Sequence, residues 1–138
     1  MPTTALAATG IYAALCTFIF VWLANETGKV RRREKVALGD GGNTHLARLM
    51  RGMINCAEYM PIFLITLVIA ALIGMPVWLV HLFGLSFIVG RAIHASYFIY
   101  PGTPIMRRFV GFGMGFVSQT LLAIGLLVHG IWVSVLGG

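Results

Sequence analysis

The sequence predicts an all-α integral membrane protein built from four transmembrane helices, and three observations carry that expectation. Hydrophobic residues make up 59% of the 138 residues and charged ones only 10%. The mean hydropathy is +0.91, outside the range of soluble domains. Long stretches carry no Asp, Glu, Lys or Arg, the longest covering the 32 residues 59–90. A bilayer core about 30 Å thick needs about 20 apolar residues per helical span, so this length supplies four spans and little else. A single membrane domain over 1–138 is expected, with helices at about 5–27, 44–73, 76–100 and 106–136.

The first span is free of charge over residues 5–24 and lacks a positive segment before it, so it reads as a retained helix and not a signal peptide. Lys29, Arg31, Arg32, Arg33 and Lys35 follow it. The run Gly39-Asp40-Gly41-Gly42 then marks a loop, and Asn43 or Thr44 can cap the second helix. Gly74-Met75-Pro76 divides the long apolar stretch into the second and third helices. Pro101-Gly102-Thr103-Pro104 stops the third, and the fourth carries no charge from Phe109 on.

All ten Lys and Arg residues fall at or near the loops joining helices 1 and 2 or helices 3 and 4. In a four-span protein those loops share one side, which the positive-inside rule makes cytoplasmic, with both termini outside. The net charge of +6 therefore reads as a topology and headgroup signal, and nucleic acid is not an expected partner. Membrane lipid is. Cys16 and Cys56 lie in expected spans with no CxxC or Cys/His spacing and read as packing residues. His81 and His129 sit toward the other side without a ligand spacing, so no metal site is expected.

The second helix holds the informative pattern. Its apolar part, 59–74, covers only about 24 Å at 1.5 Å per residue, so the helix must continue back through its polar half. At 100° per residue, Arg48, Arg51, Asn55, Glu58, Tyr59 and Ile62 fall within an arc of about 100°, with His45 beside it. Ionisable groups at that depth usually face a bundle interior or a wet cavity, which makes this stripe a binding-site candidate. Arg91 and His94 share a face of the third helix near the same end, and Arg91 is placed to partner Glu58. Gly111, Gly115, Gln119 and Ala123 recur every four residues on the fourth helix and read as a close-packing face.

The segment Arg51-Gly-Met-Ile-Asn55-Cys56-Ala-Glu58-Tyr59-Met-Pro61-Ile-Phe63-Leu64 resembles the signature of the MAPEG family, the membrane-associated proteins of eicosanoid and glutathione metabolism. The resemblance extends over nearly the whole chain. It takes in the basic segment after helix 1, the hairpin between helices 2 and 3, Gly90-Arg91, and the basic residues before helix 4. It is nearest to a small bacterial branch with a Gly-Asp-Gly-Gly loop and Gly-Arg-x-x-His, which points to a bacterial inner membrane.

The resemblance implies a homotrimer whose subunits bind glutathione between neighbours and attack a hydrophobic small-molecule electrophile in the bilayer. That is a microsomal-type glutathione S-transferase, with peroxidase activity as a further option and a non-catalytic lipid-binding scaffold as the alternative. Arg51, Asn55, Glu58 and Tyr59 match the family's glutathione-binding positions. Arg31, with Arg32 next to it, matches the basic position after helix 1, and Arg91 and His94 join the cofactor-binding set. Arg107 or Arg108 matches the thiolate-stabilising arginine. Leukotriene-forming members carry two tyrosines late in helix 3 where this chain has His94 and Phe98, so substrate contacts there do not transfer.

Overall fold

The computed structural model describes residues 2–135 and residue 137, in four helices: α1 (Pro2–Glu34), α2 (Thr44–Leu72), α3 (Val77–Ile99) and α4 (Ile105–Val135). The expected end of the fourth helix at Leu136 lies outside the described residues. Each helix is long and apolar enough to cross a membrane, and the chain is a multi-pass membrane protein. The α1–α2 and α3–α4 connections share a basic end. The α2–α3 hairpin lies at the other.

α1 runs seven residues past the expected position 27, through the basic cluster. Lys and Arg are good helix formers, and cations in a last turn complement the helix dipole. The helix then stops in a left-handed turn. Lys35 takes φ 56° and the Val36 N–H reaches back to the Arg31 carbonyl at 3.0 Å. Arg31 folds over this end, donating through Nη1 to the carbonyls of Val36, Ala37 and Gly39, the last at 2.8 Å. Asp40 closes the loop by accepting from Gly42 N–H, and the Asn43 side chain caps α2 by accepting from Leu46 N–H at 2.9 Å.

α2 and α3 form the central pair, with the buried rings of Phe63 and Phe87 stacked 3.7 Å apart. α1 packs on both, and α4 packs on both from another side. Among the described residues α1 and α4 do not meet. The α3–α4 crossing depends on glycine. A Cβ on Gly111 would stand 2.7 Å from the Gly90 carbonyl oxygen, and one on Gly115 would stand 3.1 Å from the Arg91 guanidinium. At the hairpin end the Tyr12 ring fills the space left by Gly84, and its hydroxyl meets His81 Nδ1 at 2.8 Å. Beyond Leu122, α4 turns Leu127, Val128, Ile131 and Trp132 outward, a surface that lipid or a second subunit can cover.

Candidate functional site

Pro61 lies inside α2 and removes the N–H that would bond the Ala57 carbonyl, yet the helix continues to Leu72. The polar half of α2 is therefore carried on one unbroken helix into the bundle. There it divides into two sets. His45 and Arg48 turn to the end of α3: His45 Nε2 lies 3.1 Å from the Ile99 carbonyl, and Arg48 Nη2 donates to the Tyr97 carbonyl at 2.5 Å with its guanidinium over the Tyr97 ring. These two hold α3. Arg51, Asn55, Glu58 and Tyr59 line a groove of about 400 Å³ with His94 and Phe98 of α3 and Arg108, Phe109 and Phe112 of α4.

Beneath the groove lies Arg91, with no solvent exposure. Its Nη1 donates to Asn55 Oδ1 at 2.7 Å. Glu58 is therefore not its partner, contrary to the expectation from sequence. The Arg91 guanidinium lies against Gly115 of α4 and reaches Asn55, one turn before Glu58 on α2. Rings enclose the rest of it: Tyr59, Phe87 and Phe112 centroids lie 5.4, 5.5 and 5.9 Å from its Cζ. Among the described residues its Nε and Nη2 have no hydrogen-bond partner. A cation held this way biases the groove floor toward anions without occupying it.

Around the rim, Arg51, Glu58 and Arg108 are exposed, and none is in an ion pair among the described residues; the two pairs there are Lys29–Glu26 and Arg33–Glu34. The groove thus offers two guanidinium groups outside any ion pair, that of Arg108 lying 5.8 Å over the Phe98 ring, with the Glu58 carboxylate, the remaining N–H donors of Asn55 and the Tyr59 hydroxyl. Planar guanidinium forks suit carboxylates, and a carboxylate suits an ammonium. Such a set can meet both carboxylates and an ammonium group. His94 supplies a ring packed edge-on to Phe98, with Nδ1 buried and unpartnered.

A family model described as the MAPEG family matches residues 9–128 of the sequence. The chain belongs to the MAPEG family. Inner membrane protein YecN of Escherichia coli strain K12 is 30% identical over 84 residues, 61% of this chain and 64% of that protein, and YecN of strain CFT073 matches equally. The chain thus spans just under two thirds of the length of those relatives. Uncharacterized protein sll1147 of Synechocystis is 26% identical over 133 residues, 96% of this chain and 94% of that one.

Of the MAPEG-derived positions, Arg51, Asn55, Glu58, Tyr59, His94 and Arg108 share the groove and Arg91 underlies it. Arg108 lines it and Arg107 does not. Arg31 and Arg32 stand apart on the α1 flank, where Arg31 is committed to the loop carbonyls and Arg32 is exposed. Phe109 and Phe112 also line the groove, and no motif in the sequence marks them. Their signal was their place one residue and one turn after Arg108, on the α4 side that meets α3. Among the described residues no three His, Cys, Asp or Glu side chains gather where they could hold a metal.

Proposed function

We propose that the groove binds glutathione and that the protein is a glutathione-dependent transferase conjugating hydrophobic electrophiles drawn from the bilayer. The observation that carries this reading is one groove lined by Arg51, Arg108 and Glu58, none of them in an ion pair among the described residues, with the Arg91 guanidinium buried beneath and bonded only to Asn55. Its volume of about 400 Å³ falls within the roughly 300–1,000 Å³ of small-molecule sites.

In this reading Arg51 holds a carboxylate of the tripeptide and Glu58 takes its γ-glutamyl ammonium. Asn55 and Tyr59 fix its backbone. Arg108 stands by the cysteinyl sulfur, where a cation favours the thiolate, and the thiolate attacks the electrophile while the leaving group or opened ring takes the electron pair. Arg32 of a neighbouring copy, with Arg31 as its scaffold, supplies the second carboxylate clamp in a homotrimer. Such an activity serves detoxification. The name of the Escherichia coli relative supports an inner membrane location, and the basic end lies in the cytoplasm in this reading.

The test is a glutathione titration of the detergent-purified protein, following thermal stability and thiolate absorbance together, with Arg51→Ala in parallel. Stabilisation and thiolate formation, both lost in the variant, support the transferase. No binding at millimolar glutathione overturns it and moves the assignment to a lipid-binding scaffold of the same fold.

A further inference from the structure

The α1–α2 seam carries chemistry that the glutathione reading does not use. Cys16 of α1 and Cys56 of α2 are both buried free thiols, 40 positions apart in sequence with no ligand spacing between them. Helix pairing brings them onto one cavity of about 390 Å³, together with the thioether of Met60, one turn beyond Cys56. Arg91 of α3 reaches the neighbouring position on α2 through its bond to Asn55, the residue before Cys56. Apart from Thr17, whose hydroxyl donates to the Ala13 carbonyl, the remaining lining is apolar.

Three soft sulfur donors with no carboxylate beside them disfavour Mg²⁺, Ca²⁺ and other hard cations and suit a d¹⁰ ion that accepts two or three sulfur ligands. Charge then separates the soft ions. A monovalent ion bound by two thiolates forms a complex of net charge −1, and its counter-charge is Arg91, fully buried, bonded to the residue before Cys56, and with Nε and Nη2 unpartnered among the described residues. A divalent ion in the same place gives a neutral complex and leaves Arg91 uncompensated.

We propose that Cys16, Cys56 and Met60 form a membrane-embedded site for a soft monovalent cation of the Cu(I) or Ag(I) class. Binding replaces two S–H protons with one metal ion, M⁺ + 2 RSH giving [RS–M–SR]⁻ + 2 H⁺, with no change of oxidation state. Met60 completes the shell as a neutral third donor. The sulfur donors line a different cavity from the glutathione groove, and Arg91 is the one group that both readings invoke.

The experiment titrates the reduced, glutathione-free protein with Ag(I) in chloride-free buffer, reading stoichiometry by calorimetry and proton release by a pH indicator. One ion per chain and two protons per ion are expected. Cys16→Ser and Cys56→Ser should each weaken binding about 100-fold or more, beyond the range for losing an outer-shell partner, and Met60→Leu should weaken it less. Two ions per chain, or Ag(I) binding undiminished in either serine variant, overturns the site. X-ray absorption on the wild-type protein loaded with Cu(I) needs no variant to fold: sulfur neighbours alone are expected, and nitrogen or oxygen ligands overturn the proposal. Because glutathione is absent throughout, failure here leaves the transferase reading intact.

Discussion

The Arg91 guanidinium, without solvent exposure, donates to Asn55 Oδ1 at 2.7 Å, and that bond ties the floor of the groove to the helix bearing its rim. It is the only hydrogen bond this cation makes to a side chain among the described residues. Asn55→Leu leaves the buried charge without it and should destabilise the protein by about 3 kcal/mol. Arg91→Met in the same chain removes the orphaned charge and should recover much of that loss. Thermal unfolding of the two single variants and the double in one detergent closes the cycle. Additive losses would show that the two residues act separately.

The helical glycines of α4 are not equivalent. A Cβ on Gly111 meets the backbone of Gly90 and His94, whereas one on Gly113 meets nothing within 4 Å. Gly111→Ala should push α4 from α3 and cost about 1–3 kcal/mol, weakening ligand binding through Arg108 and Phe112 as the groove widens. Gly113→Ala should stabilise by up to about 1 kcal/mol, because Gly is the poorer helix former. Unfolding midpoints of the two alanine variants decide it.

These contrasts mark how far the sequence could be read. Charge-free runs and Gly/Pro breaks expose the four spans because hydrocarbon leaves little choice of residue. The stripe on α2 is legible because helical periodicity places Arg51, Asn55, Glu58 and Tyr59 on one face whatever packs against it. The partner of Arg91 is not, since it depends on how far α4 sinks onto α3 at Gly90, Gly111 and Gly115. The division of Arg107 from Arg108 depends on the same approach. Arg31 reads as a free cation in sequence, yet the left-handed turn at Lys35 and the glycine loop after it present three carbonyls within its reach.

That turn yields a prediction of its own. Lys35 occupies the left-handed position after a helix, φ 56°, where a side chain is strained and glycine is not. Lys35→Gly should raise stability by about 1 kcal/mol despite losing a basic residue. Lys35→Val should lower it, since a β-branched side chain suits this region least. Melting temperatures of the two variants should therefore move in opposite directions, and a parallel shift would place the effect in charge.

Arg48 and Arg51 lie one turn apart on one face of α2 and should separate stability from binding. Arg48 is anchored to the Tyr97 carbonyl and its ring, so Arg48→Ala should cost about 1–3 kcal/mol of stability. In protein kept folded by lipid or low temperature, glutathione affinity should change little. Arg51 is exposed on the groove rim and makes no ion pair among the described residues, so Arg51→Ala should leave the stability of the ligand-free protein within about 0.5 kcal/mol of the parent. Its loss of a charge-assisted bond to a carboxylate should weaken glutathione by about 1.5–3 kcal/mol, roughly 10- to 100-fold. Calorimetric titration beside thermal unfolding resolves the two effects. Equal loss of binding in both variants would mean that Arg48 leaves the α3 carbonyl for the ligand, and the division of the stripe into an anchoring pair and a binding set would fall.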